Sequence, residues 1–198
     1  MRSGAVRGGS AGFSLVELLV VVVIIGILSA IAVPLYLRTR YRSQAIEAGE
    51  VLSRIGAAQE SYRAEFGVYS DVSNDLPLAG GSPGSTGALG TWWPNEGVTT
   101  GGRQTDFYAG LPAAWNQLGV RPRQLVRYSY QTIAGRAGVR PNLPAPSNDL
   151  GYASLPPPQQ GVWYLATATS DLDADGTRSR FELSNLTRRL TIIGSDIE

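Results

Sequence analysis

The sequence has no cysteine, no histidine and no lysine, so all 17 of its basic side chains are arginine. Without thiols there is no disulfide framework and no thiolate metal centre. Without imidazole there is no histidine base for a nucleophile and no histidine-bound metal. The missing lysine excludes Schiff-base chemistry. The 16 acidic residues nearly balance the arginines over 198 residues, giving a formal net charge of +1, so whole-chain electrostatics does not favour polyanions. Nothing resembles a phosphate-binding loop. With no nucleophile–base set, the chain reads as non-enzymatic, and its length suits one domain with an appended segment.

What the sequence does have is one long apolar run. Phe13 to Leu37 reads FSLVELLVVVVIIGILSAIAVPLYL, in which Glu17 is the only charge. At ~1.5 Å per helical residue, Phe13 to Val33 covers about 30 Å, one hydrocarbon core. A buried core helix is neither this long nor apolar on every side. A secretory signal peptide carries small residues after a shorter apolar core, whereas here Gly8-Gly9-Ser10-Ala11-Gly12 precede it. Orientation is not set by charge: Arg2, Arg7 and the α-amine face Arg38, Arg40 and Arg42 across the run. Gly26 and Pro34 bracket a weak stretch, because Pro34 removes one i→i−4 bond at a cost of ~3 kcal/mol in a helix interior. A kink and local unwinding are both compatible with that.

Gly12-Phe13-Ser14-Leu15-Val16-Glu17, a short basic leader before it and unbroken apolar sequence after it resemble the prepilin leader of the type IV pilin superfamily. That superfamily includes type IV pili, type II secretion pseudopilins and related filaments. The likeness is specific over about residues 1–66 and architectural beyond. It implies a leader at 1–12, cleavage between Gly12 and Phe13 by a membrane-embedded prepilin peptidase, and methylation of the new amine. It also implies an inner-membrane precursor with a cytoplasmic N-terminus, then a periplasmic or extracellular filament of this chain and other pilins. The partners implied are an inner-membrane assembly platform and a cytoplasmic ATPase.

Glu17 is costly in an apolar setting and calls for a cation. Within one chain the Phe13 amine lies one helical turn away. By resemblance, the carboxylate instead pairs with the amine of a neighbouring subunit during assembly. Gly26 and Pro34 belong to the same assembly segment, 13–37, in which related filaments can unwind.

From 38 to 67 the helix is expected to continue as an amphipathic half, with Val51, Ile55, Ala58, Tyr62 and Phe66 on one face and Gly67 as its stop. Residues 68–198 form the head. Residues 77–103 are Gly/Pro-rich and irregular, with Trp92-Trp93 expected to pin that segment to the domain. A short helix is expected at Pro112–Leu118, closed by Gly119, then strands at Gln124–Ala134, Val162–Ser170, Phe181–Asn185 and Arg189–Ile193. The fold class is α+β: a long N-terminal helix, part membrane and part amphipathic, packed on a small antiparallel sheet.

Two further patterns stand out. Asp171-Leu-Asp173-Ala-Asp175-Gly176 followed by Thr177 and Glu182 has the D-x-D-x-D-G-x5-E spacing of a calcium loop. Strand-like flanks, and Glu182 alternating with Phe181 and Leu183, leave a plain hairpin turn as the competing reading. If the turn binds calcium, the ion is expected to be a structural staple and not a catalyst, and no cofactor is required. Arg121, Arg123, Arg127, Arg136 and Arg140, interleaved with Tyr128 and Tyr130, suit either DNA or a solvated strand face meeting acidic neighbours; the second is the plainer reading. The functional expectation is a structural subunit of a type IV pilus-like filament. The alternatives are a type II secretion pseudopilin and a minor pilin acting as adhesin or DNA receptor.

Overall fold

A computed structural model describes residues 13–72, 92–94, 100–123, 125–135, 161–187 and 189–193. The leader with Gly12, most of the Gly/Pro-rich stretch, Gln124, Arg136 and Arg140 lie outside the described residues.

Helix α1 runs from Leu15 to Phe66. Ser14 stands just before it, and its Oγ accepts the Glu17 backbone N–H at 3.2 Å, satisfying a donor that the first turn leaves orphaned. The helix ends at Gly67, whose φ of 76° and N–H bond to Arg63 O form a left-handed cap. The chain divides into two compact units, Met1–Arg40 and Tyr41–Glu198. In the first, the apolar side chains of α1 are exposed on every side. This helix is long and apolar enough to cross a membrane.

The second unit has its own core. Strands β1 (Thr105–Asp106) and β2 (Leu125–Val126) form a small antiparallel ribbon, with helix α2 (Ala113–Leu118) between them in the sequence. Strands β3 (Ser129–Gly135), β4 (Trp163–Ser170), β5 (Ser179–Ser184) and β6 (Thr191–Ile193) form a four-stranded antiparallel meander in that spatial order. Register explains the helix-facing surface. Tyr130 pairs with Ala168 and then Phe181, while Thr132 pairs with Ala166 and then Leu183. The alanines leave room for α1, whose Val51, Leu52 and Ile55 are buried with them. Gly56 makes the closest approach: a Cβ there would lie 2.9 Å from the Tyr164 hydroxyl and 3.1 Å from Leu183 Cδ2. The α+β layout, the meander and α2 with its Gly119 cap follow the sequence expectation.

Three details differ from it. The buried stripe of α1 includes Gln59 but not Phe66, which stays exposed and rests its ring on Tyr62 at 4.4 Å. Gln59 is fully buried because its amide completes three bonds: Nε2 donates to Ser70 O (2.7 Å) and Thr132 Oγ1 (3.0 Å), and Oε1 accepts from Ser70 N (2.8 Å). The expected first long strand breaks at Arg127–Tyr128, and its first part pairs with Thr105–Asp106. The face of the meander away from α1 is also buried, with Ile133, Trp163 and Leu165 forming a second small cluster. Trp93 pins its segment as expected. It exchanges backbone bonds with Tyr130 at 2.8 Å, and its Nε1 donates to Phe107 O at 2.8 Å.

Candidate functional site

The first candidate site is the start of α1. Phe13 is 81% exposed, and Ser14 and Glu17 sit as cap and third helical residue, the S-x-x-E arrangement that starts a helix. The sequence reading weighed Glu17 only as a charge and missed Ser14, although the four letters Ser14-Leu15-Val16-Glu17 were its signal. An acid in the first turn also faces the positive end of the helix dipole. No described cation pairs with its side chain. Gly26 and Pro34 both lie inside uninterrupted helix, and nothing lies within 4 Å of a Cβ built on Gly26. Proline at 34 leaves the Ala30 carbonyl without its usual helical donor. One turn later Thr39 Oγ1 donates to Leu35 O at 3.0 Å.

The second candidate is the hairpin between β4 and β5. One carboxylate oxygen from each of Asp171, Asp173 and Asp175 lies within 4.8 Å of the others. Glu182 is not in that group. It sits in the middle of β5, buried, on the face opposite Phe181 and Leu183 and paired in register with Thr167 and Thr191. The flanking ladder carries it away from the turn. The turn itself is shaped by its acids. Asp173 Oδ1 accepts Asp175 N–H (3.2 Å), Asp171 Oδ2 accepts Gly176 N–H (3.2 Å) and Asp175 Oδ1 accepts Thr177 N–H (2.6 Å). Ala174 (φ 63°) and Gly176 (φ 91°) are left-handed. The Thr177 backbone N–H, then its hydroxyl, hold the Asp175 carboxyl below the ordinary carboxylate range. Asp171 differs from the other two. It is 7% exposed, and its Oδ1 is buried with no hydrogen-bond partner among the described residues. The donor set is three hard oxygens, which fits a cation such as calcium.

The arginine series does not form one surface. Arg121 and Arg123 are exposed, whereas Arg127 is half-buried in an ion pair with Glu47 on α1 at 3.0 Å.

Comparison with known proteins bears on the first site. Residues 7–33 match a family model described as the prokaryotic N-terminal methylation motif. Over 79 residues the chain is 40% identical to the type IV major pilin protein PilA of Myxococcus xanthus (strain DK1622), a stretch covering 40% of this chain. The chain spans only about a third (36%) of that relative's length. No solved structure matches. Both matches agree with the resemblance to the type IV pilin superfamily read from Gly12 to Glu17.

Proposed function

We propose that the chain is made as a prepilin, cut between Gly12 and Phe13, methylated on the Phe13 amine, and assembled as a structural subunit of a type IV pilus-like filament. The carrying observation is Glu17, the lone charge of the exposed apolar run Phe13–Leu37, held one turn from Phe13. In the uncleaved chain the Phe13 nitrogen is an amide and offers Glu17 no positive charge. Cleavage creates the cation, so pairing selects processed subunits. In the membrane the apolar half of α1 is solvated by lipid; after extraction it is hidden among the same helices of other copies. Prepilin peptidase, an inner-membrane platform and a cytoplasmic ATPase act on the chain from outside it. The major-pilin name of the relative favours an abundant subunit.

Mass spectrometry of sheared surface fibres tests this. The chain should dominate them and begin at a methylated Phe13. Scarcity in the fibres would instead indicate a pseudopilin or a minor pilin, and an intact Met1 in the fibres overturns the reading.

We also propose that the Asp171–Asp173–Asp175 turn holds a structural calcium ion, which fastens the C-terminal part of a head that has no disulfide. The buried, unpaired Oδ1 of Asp171 favours this over a turn shaped by hydrogen bonds alone.

A further inference from the structure

The segment after α2 returns to the flank of α1 and places two arginines beside a third. Arg54 Nη1 donates to the Arg121 carbonyl at 3.0 Å, and its Nη2 to Glu50 Oε1 at 2.9 Å. Arg121 is itself steadied by Asn116, whose Oδ1 accepts from its Nη2 at 3.2 Å. Arg123 acts on the same carboxylate through space, so Glu50 lies below its ordinary range, first through the Arg54 hydrogen bond. All three arginines are exposed. Glu50 is thus bonded by the Arg54 guanidinium and lies in the field of Arg123, with the backbone of Arg121 against Arg54, and the three exposed arginines give this surface an excess of positive charge.

Asp173 and Asp175, exposed acids of the same head, lie elsewhere. Gly101 N–H donates to Asp171 O at 2.6 Å. A Cβ on Gly102 would lie 3.2 Å from Leu172 O and 3.7 Å from Gln44 Oε1, which puts the acidic turn level with Gln44. Arg54 follows ten residues later on the same helix, about 15 Å along its axis at ~1.5 Å per residue. One copy therefore does not bring its own turn onto its own arginines.

We propose that the Asp173–Asp175 turn of one copy docks on the Arg54–Arg121–Arg123 surface of a neighbouring copy displaced along the helix axis. This rests on the filament reading and adds to it a contact between heads. Charge favours a second copy over a polyanion: 17 arginines against 16 acids make the chain complementary to itself, and Glu50 inside the patch repels phosphates. Arginine pairs with carboxylates in a planar two-bond geometry, so the contact fixes orientation as well as attraction. Exposed ion pairs each add little stability. Repeated at every junction, they set the register of the heads.

The absence of cysteine gives a clean test, because an introduced pair supplies the only thiols. Cells producing full-length Asp175→Cys and Arg123→Cys chains together should yield a disulfide-linked dimer in mildly oxidised, sheared filaments. Pairing Asp175→Cys with Ser61→Cys, also exposed on α1, should yield at least fivefold less. Reversing the patch with Arg121→Glu and Arg123→Glu should lower filament yield several-fold. Adding Asp173→Arg and Asp175→Arg should restore it. Normal filaments with neither dimer nor loss of yield overturn the docking and leave the filament reading standing. So does an arginine variant that loses only binding to DNA or an acidic polysaccharide, with no dimer formed. A parent chain that makes no filament overturns the filament reading, and the docking falls with it.

Discussion

Arg127 donates twice to the carboxylate of Glu47, once from its backbone N–H and once from its guanidinium at 3.0 Å. Its carbonyl in turn accepts the Ser170 hydroxyl at 2.9 Å. Side chains thus satisfy both backbone groups of Arg127, which is why strand pairing can stop there and the chain can turn from the β1–β2 ribbon into the meander.

Replacing Glu47 by alanine leaves the half-buried Arg127 N–H without its acceptor and its guanidinium with Gln104 alone. The expected loss is about 1–3 kcal/mol in denaturant unfolding of the full chain. Glu47→Gln keeps an acceptor and loses the charge, so its cost should be the smaller of the two.

Gln59→Leu is close in volume but strips the partners from the Ser70 N–H and carbonyl. Orphaning both buried groups should cost about 2–4 kcal/mol. A change below half a kcal/mol in the unfolding midpoint analysis would show that Ser70 finds other partners.

What sequence reveals here follows range of interaction. The apolar run, the Gly67 and Gly119 stops and the strand-forming runs of β3 to β5 are local patterns, and the structure repeats them. Gln59 misled because its burial depends on Ser70, brought back by the turn at Gly67, and no periodicity records that. Val126, Tyr128 and Tyr130 alternate straight through the break at Arg127, because the pattern marks burial and Glu47 marks the break. The three acids of the turn were legible from spacing. Glu182 was not separable from them by letters alone, since only the ladder from Ser179 onward shows that it lies within a strand.

Alkaline pH should unfold the head early. Burial pushes the Tyr130 phenol well above its ordinary value, with Glu47 adding to it, and burial pushes Tyr164 up to about 12. A group whose folded pKa is raised contributes its full stability below the unfolded value near 10 and loses it as pH rises through the folded value. Melting temperature should therefore fall between about pH 10 and 12. The Tyr130 hydroxyl has no hydrogen-bond partner among the described residues. Tyr130→Phe should be neutral or stabilising at pH 7 and should flatten the alkaline loss.

If calcium occupies the acidic turn, saturation at a hundredfold above its dissociation constant stabilises the fold by about 2.7 kcal/mol. EGTA should then lower the melting temperature by several degrees, and Asp171→Asn should make the curve indifferent to the chelator. A parent curve unchanged by EGTA ends the calcium proposal. A bound divalent ion also cancels charge that the arginine surface would meet.

The start of α1 gives Ser14 and Glu17 two separable jobs. Ser14 Oγ accepts the Glu17 N–H, so Ser14→Ala removes a helix cap worth ~1 kcal/mol while leaving the carboxylate in place. Glu17→Gln keeps the first turn and the length of the side chain but removes the charge that a neighbour's Phe13 amine would meet. If the acid serves assembly, the glutamine variant should be cleaved normally and remain in the membrane, with filament yield down at least tenfold. Ser14→Ala should still polymerise, with a modest loss. If both variants polymerise equally well, Glu17 is a capping residue only, and the register between subunits has another origin.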